Sequence, residues 1–119
     1  EKAVLSRPAH RLAYEALREL EKKNYIKQGK IKKYYIELSD IARHYLENRF
    51  NIKAPEMTTE EFLLKAKEAK ELGSEHKNLL KGFLSHCDSV KFAKYGPSEK
   101  EISSSFESAK ILIDQTKSA

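Results

Sequence analysis

The chain has no tryptophan, one methionine, one cysteine, three prolines and four glycines in 119 residues. A lone thiol, Cys87, excludes a disulfide within the chain and suits a reducing compartment better than a stapled secreted scaffold. The glycines are isolated from one another, so no glycine-rich loop is available to cradle a phosphate. No apolar run approaches the ~18 residues of a membrane span, and no secretory signal is visible. There is no internal repeat and no low-complexity tract. The first residue is Glu1 rather than Met, which leads us to expect a piece of a longer protein.

Hydrophobic residues make up 39% and charged residues 34%, with a mean hydropathy of −0.69. The apolar positions recur too regularly for a disordered tail, so one folded domain over residues 1–119 is expected. The net charge of +5 is unevenly spread. Residues 1–33 hold ten Lys and Arg against four Glu, whereas residues 34–119 hold thirteen against fourteen acids. A basic first helix and loop ahead of a near-neutral core fits a membrane-proximal cytoplasmic segment, because Lys and Arg gather just inside a span. A solvated helix face followed by a basic loop has the same charge pattern.

Helical periodicity runs through most of the chain. In "SRPAHRLAYEALRELEKKN", Ser6 is a candidate cap, Pro8 suits a first turn, and Ala9, Leu12, Ala13, Ala16, Leu17 and Leu20 face inward. Glu19 is placed to pair with Lys23. Gly29 marks a turn, with Tyr25 and Ile26 folding back on the core. The stretch "YYIELSDIARHYLENRF", residues 34–50, puts Tyr34, Tyr35, Leu38, Ile41, Ala42, Tyr45 and Leu46 on one side, a stripe wide enough to be the apolar centre. Pro55 then disfavours helix at Ala54. A third helix starts at "MTTEEF", where Thr58 and Glu61 form a capping box and Met57 faces Phe62 as a staple; Leu72-Gly73 closes it. Ser74 is the expected cap of a fourth helix, with Leu79, Leu80, Phe83 and Leu84 inward. In "SVKFAKYG" Val90 and Phe92 alternate with Lys91 and Ala93, which predicts a short β segment near residues 89–95. Ser98 and Glu101 repeat the capping box, and Ile102, Phe106, Ala109, Leu112 and Ile113 face inward on a fifth helix.

The residues that bear chemistry do not assemble into a known pattern. His10, His44, His76, His86, Cys87 and Asp88 lack metal-ligand spacing, and adjacent His86 and Cys87 point to different sides of a helix. They read as surface histidines and a partly buried thiol at a helix end. Glu60, Glu61, Glu68, Glu71 and Asp88 read as caps or solvated faces rather than an acid–base pair. No enzyme, metal or cofactor is expected.

The order of helices two, three and four followed by a short β segment also matches a winged helix. In that reading Lys77, Asn78 and Lys81 form the DNA-binding face and Lys91 and Lys94 lie on the wing. The near-neutral charge of residues 34–119 argues against nucleic acid, because phosphate neutralisation supplies most non-specific affinity. Self-association is a third possibility.

Taken in order, "YYIELSDIARHYLENRF", "MTTEEFL" and "SHCDSVKFAKYGPSEKEI" resemble the cytoplasmic C-terminal domain of Bat aerotolerance-type, BatD-like bacterial membrane proteins and their small single-span relatives. The likeness covers the chain from about Pro8 to Thr116. It implies a domain below a membrane helix, on the cytoplasmic side of the bacterial inner membrane, associated with a MoxR-type AAA+ ATPase and von Willebrand A-domain proteins. It implies no catalytic residue. The combined expectation is a mainly α, compact five-helix bundle that acts as a non-enzymatic protein-interaction domain. Lys91, Lys94 and Tyr95 are its candidate partner-binding residues, with a winged-helix DNA-binding domain as the alternative.

Overall fold

Six of the seven stripe residues, Tyr34, Tyr35, Leu38, Ala42, Tyr45 and Leu46, lie buried on one side of a single helix, and Ile41 is partly buried against the same core. The computed structural model describes residues 8–52 and 57–117, and in it this helix is α2 (Ile31–Phe50). Around it stand α1 (Ala9–Lys22), α3 (Thr59–Lys67), α4 (Ser74–Phe92) and α5 (Glu99–Thr116). The fold is mainly α, and no strand occurs among the described residues.

Helix α2 packs on α1, α4 and α5, while α4 also meets α3 and α5. Ala13, Leu17 and Leu20 carry the inner face of α1 into the same core, so α1 is part of the globule; its charges balance, and the basic excess of residues 1–33 lies mainly in the five lysines of residues 23–33. Tyr35, Tyr45, Phe62 and several leucines have almost no exposed surface, each contributing about 1.5–3 kcal/mol of burial. Helix α3 approaches the backbone of α4 and of no other described helix. Arg43 of α2 adds a side-chain link to α3, donating to the Met57 carbonyl at 2.6 Å and lying 4.9 Å from the Phe62 ring centre.

The helix ends follow their local chemistry. Both expected capping boxes form: Thr58 Oγ1 accepts from the Glu61 N–H while Glu61 accepts from the Thr58 N–H, and Ser98 and Glu101 do the same. Asn51 closes α2 in the left-handed region at φ 58°, which asparagine tolerates. Met57 packs on the core, as do Tyr25 and Ile26.

Several expectations need correction. The β segment near residues 89–95 does not exist, because α4 continues through Phe92. The alternation of Val90 and Phe92 was misleading: Val90 extends the inward series Leu80, Phe83, Leu84 and Cys87 at helical spacing, while Phe92 points outward. With the segment goes the wing of the winged-helix reading. Cys87 is therefore fully buried in mid-helix rather than partly buried at a helix end. Gly73, not Ser74, is the N-cap of α4, and α3 stops at Lys67, leaving Leu72 buried in the connection. Pro8 is the N-cap of α1 rather than a first-turn residue. Lys23 reaches Glu37 at 2.8 Å, and Glu19 pairs with Lys22 instead. Ser6, Ala54 and Pro55 lie outside the described residues.

Candidate functional site

Three surface features are built by the packing of α4: the corner that follows it, its seam with α5 and its seam with α3. Ser89 O ends α4 by accepting from the Ala93 N–H at 3.1 Å and the Tyr95 N–H at 3.2 Å, with Lys94 between them at φ 59°. This left-handed closure reverses the chain and splits the expected partner-binding set. Lys91 turns inward: its Nζ lies 3.1 Å from Ser39 Oγ and 3.8 Å from Asp88, and its side chain is mostly covered. Lys94 is exposed on the turn. Tyr95 is 46% exposed, and its hydroxyl donates to Glu101 at 2.8 Å. Glu101 therefore joins the helix cap to the turn. Its carboxyl is held below the usual range, first by the Ser98 N–H and then by Tyr95. The residue that sequence reasoning overlooked is Phe92, 75% exposed on the last turn of α4. Its outward direction follows from a register that only the full length of α4 reveals.

Along the α4–α5 seam, the His86 ring stands edge-on between Tyr35 and Tyr95, with ring centres 5.5 and 6.0 Å away. His86 Nε2 lies 3.2 Å from the Tyr35 hydroxyl, which also meets Ser105 Oγ at 2.8 Å. Ser105 Oγ donates in turn to the Glu101 carbonyl. Tyr45 makes a second buried pair with Thr116 at 2.8 Å. Burial raises both tyrosines above their ordinary pKa, and the Ser105 and Thr116 hydroxyls partly offset the rise. These hydroxyls anchor α2 to α5. Their partners Ser105 and Thr116 are buried polar residues, invisible to a search for apolar periodicity. A groove of about 360 Å³ borders this network, with His86, Glu101 and Ser105 in its lining beside Gly82 and Ser104.

The remaining candidate groups stay apart. His10 stacks edge-on near Tyr14, His44 is exposed, and His76 contacts Gln115 at 3.1 Å. Among the described residues no three His, Cys, Asp or Glu side chains converge on a metal position. Burial pushes the Cys87 thiol up to about 12.

Lys77, Asn78 and Lys81, the DNA-binding face of the alternative winged-helix reading, do come together, but at a concave site between α3 and α4. They line a pocket of about 360 Å³ with Lys67 of α3 and an apolar wall of Leu63, Ala66 and Leu80. Lys77 Nζ donates to the Lys67 carbonyl at 2.8 Å, tying the end of α3 to the start of α4. The seam thus gathers lysines that the sequence separates by up to fourteen positions. No helix among the described residues is long and apolar enough to cross a membrane. Comparison of the chain with protein-family models, with curated proteins and with solved structures gives no match.

Proposed function

We propose that this is a protein-interaction domain whose docking surface is the corner between α4 and α5, formed by Phe92, Lys94 and Tyr95. The observation that carries the reading is the exposure of two aromatics three positions apart, Phe92 at 75% on the last turn of α4 and Tyr95 at 46% on the following turn, which Glu101 braces. Aromatic side chains held by a rigid backbone supply contact area at little entropic cost, and they are enriched at binding hot spots. Lys91 leaves the original set because Ser39 and Asp88 occupy it. Phe92 takes its place.

The resemblance to Bat aerotolerance-type domains supplies the partners: a MoxR-type AAA+ ATPase and von Willebrand A-domain proteins. It also supplies the setting, a domain anchored to the bacterial inner membrane through an upstream segment and facing the cytoplasm. The basic excess in residues 1–33 is consistent with that setting. A winged-helix mode of DNA binding is not proposed, because α4 absorbs the residues that would have formed its wing.

The test is a pull-down of the purified ATPase and A-domain proteins with the wild-type chain and with Phe92→Ser/Tyr95→Ser. Binding by the wild type and its loss in the double variant, at unchanged helical content, are expected. Equal capture of either partner by both chains would remove the corner from the interface.

A further inference from the structure

The lysine pocket between α3 and α4 has features that the packing of the two helices does not require. Lys77 and Lys81 stand one turn apart on the same ridge, a like-charge arrangement that destabilises a helix by a few tenths of a kcal/mol. Lys67 faces them across the seam and adds a third positive charge. None of the three makes an ion pair among the described residues. Lys77 already holds the Lys67 carbonyl, yet an ammonium has three N–H donors, so two remain for a ligand.

The opposite wall has a different character. Leu63 is half-buried and presents its open side chain next to the ammonium groups, with the buried Leu80 and Ala66 forming the floor behind it. Asn78 and Ser74 add neutral polar groups at the lining, and no acidic residue contributes to it. A volume of about 360 Å³ suits a small ligand, and its concavity suits a compact head group better than a rigid duplex.

We infer that this pocket binds a phosphoryl group carried on a short apolar stem, with Lys67, Lys77 and Lys81 neutralising the phosphoryl and Leu63 covering the stem. Lysine suits this role because it meets a phosphate as a point charge from several directions. Such a group occurs on soluble phosphorylated metabolites and on the head groups of anionic phospholipids. The inference is independent of the docking corner.

The test uses the full 119-residue chain. Hexyl phosphate and hexanol are titrated while backbone amide resonances are followed by NMR. Saturable shifts concentrated at Ser74, Asn78 and Lys81 are expected with hexyl phosphate and not with hexanol. Lys67→Gln/Lys81→Gln leaves the Lys77 bridge in place and is expected to weaken binding about tenfold or more, while the distant Lys32→Gln/Lys33→Gln pair is not. Parallel sedimentation with phosphatidylglycerol and phosphatidylcholine vesicles separates the sources. Retention on the anionic vesicles alone, lost in Lys67→Gln/Lys81→Gln, assigns a lipid head group; hexyl phosphate binding without vesicle retention assigns a soluble ligand. Either result supports the pocket. No response to any probe, an equal response to hexanol, or equal binding by the two lysine variants overturns it.

Discussion

The Tyr35 hydroxyl sits 2.8 Å from Ser105 Oγ, seventy positions along the chain, and 3.2 Å from His86 Nε2. One oxygen thus joins α2, α4 and α5. Tyr35→Phe keeps the ring and removes that link, leaving Ser105 with the Glu101 carbonyl. The expected loss is about 1 kcal/mol by urea denaturation, the usual net worth of such a bond. A double-mutant cycle with Ser105→Ala should show coupling between the two positions, because they share the contact. Strict additivity would mean that the hydroxyls act independently.

The two capping boxes should differ in what they support. Thr58→Ala and Ser98→Ala each remove a side-chain acceptor from a helix start and should each cost about 1 kcal/mol. Only the second disturbs a carboxylate that also holds Tyr95. Tyr95 ring resonances should therefore shift in Ser98→Ala and stay unchanged in Thr58→Ala, as a two-dimensional NMR comparison would show.

Cys87 should be inert in the folded chain. Its side chain is fully buried, and burial raises the thiol to about 12, so the reactive thiolate is scarce at pH 8. Ellman's reagent is expected to react at the rate of unfolding in buffer and at once in denaturant. Rapid labelling of native protein would contradict the packing of α4 against the core.

Glu37 gives the acid stability a specific contributor. Its carboxyl is lowered from the ordinary value of 4.5, first by the hydrogen bond from Lys23 and then by that from Tyr25, against the opposing effect of burial. A depressed folded pKa means that the contribution is present above about pH 4.5 and is lost as pH falls through the folded value. Glu37→Gln should flatten the pH dependence of stability on that acid side. The difference should shrink in high salt, because the pair is partly exposed. An unchanged profile in urea titrations from pH 3 to pH 7 would show that the pair contributes nothing.

Much of the fold was legible because α2, α3 and α5 declare themselves by local rules: an apolar stripe and two complete capping boxes. Those signals depend on neighbours within a few positions. The C-terminal half of α4 was misread because four residues, Val90 to Ala93, satisfy a two-residue period as well as a helical one, and only the register set by Leu80, Phe83 and Cys87 decides between them. The candidate surfaces were harder still. The packing of α4 against α3 brings Lys67 to Lys77 and Lys81, and the register of α4 turns Lys91 toward Ser39 while Phe92 faces solvent. No spacing rule encodes such contacts. His86 was visible as a histidine, but its place between two tyrosines required the full pairing of α2, α4 and α5.

Helix α3 approaches the backbone of α4 alone, whereas α2 is gripped from three sides. Cooperativity should therefore be graded across the molecule: the amides of Phe62 to Lys67 would exchange with deuterium through a subglobal opening, well before those of Leu38 to Leu46. Because Lys67 belongs to α3, the lysine pocket would exist only while α3 is docked on α4, and any molecule lodged in it would slow the exchange of α3 without altering that of α2.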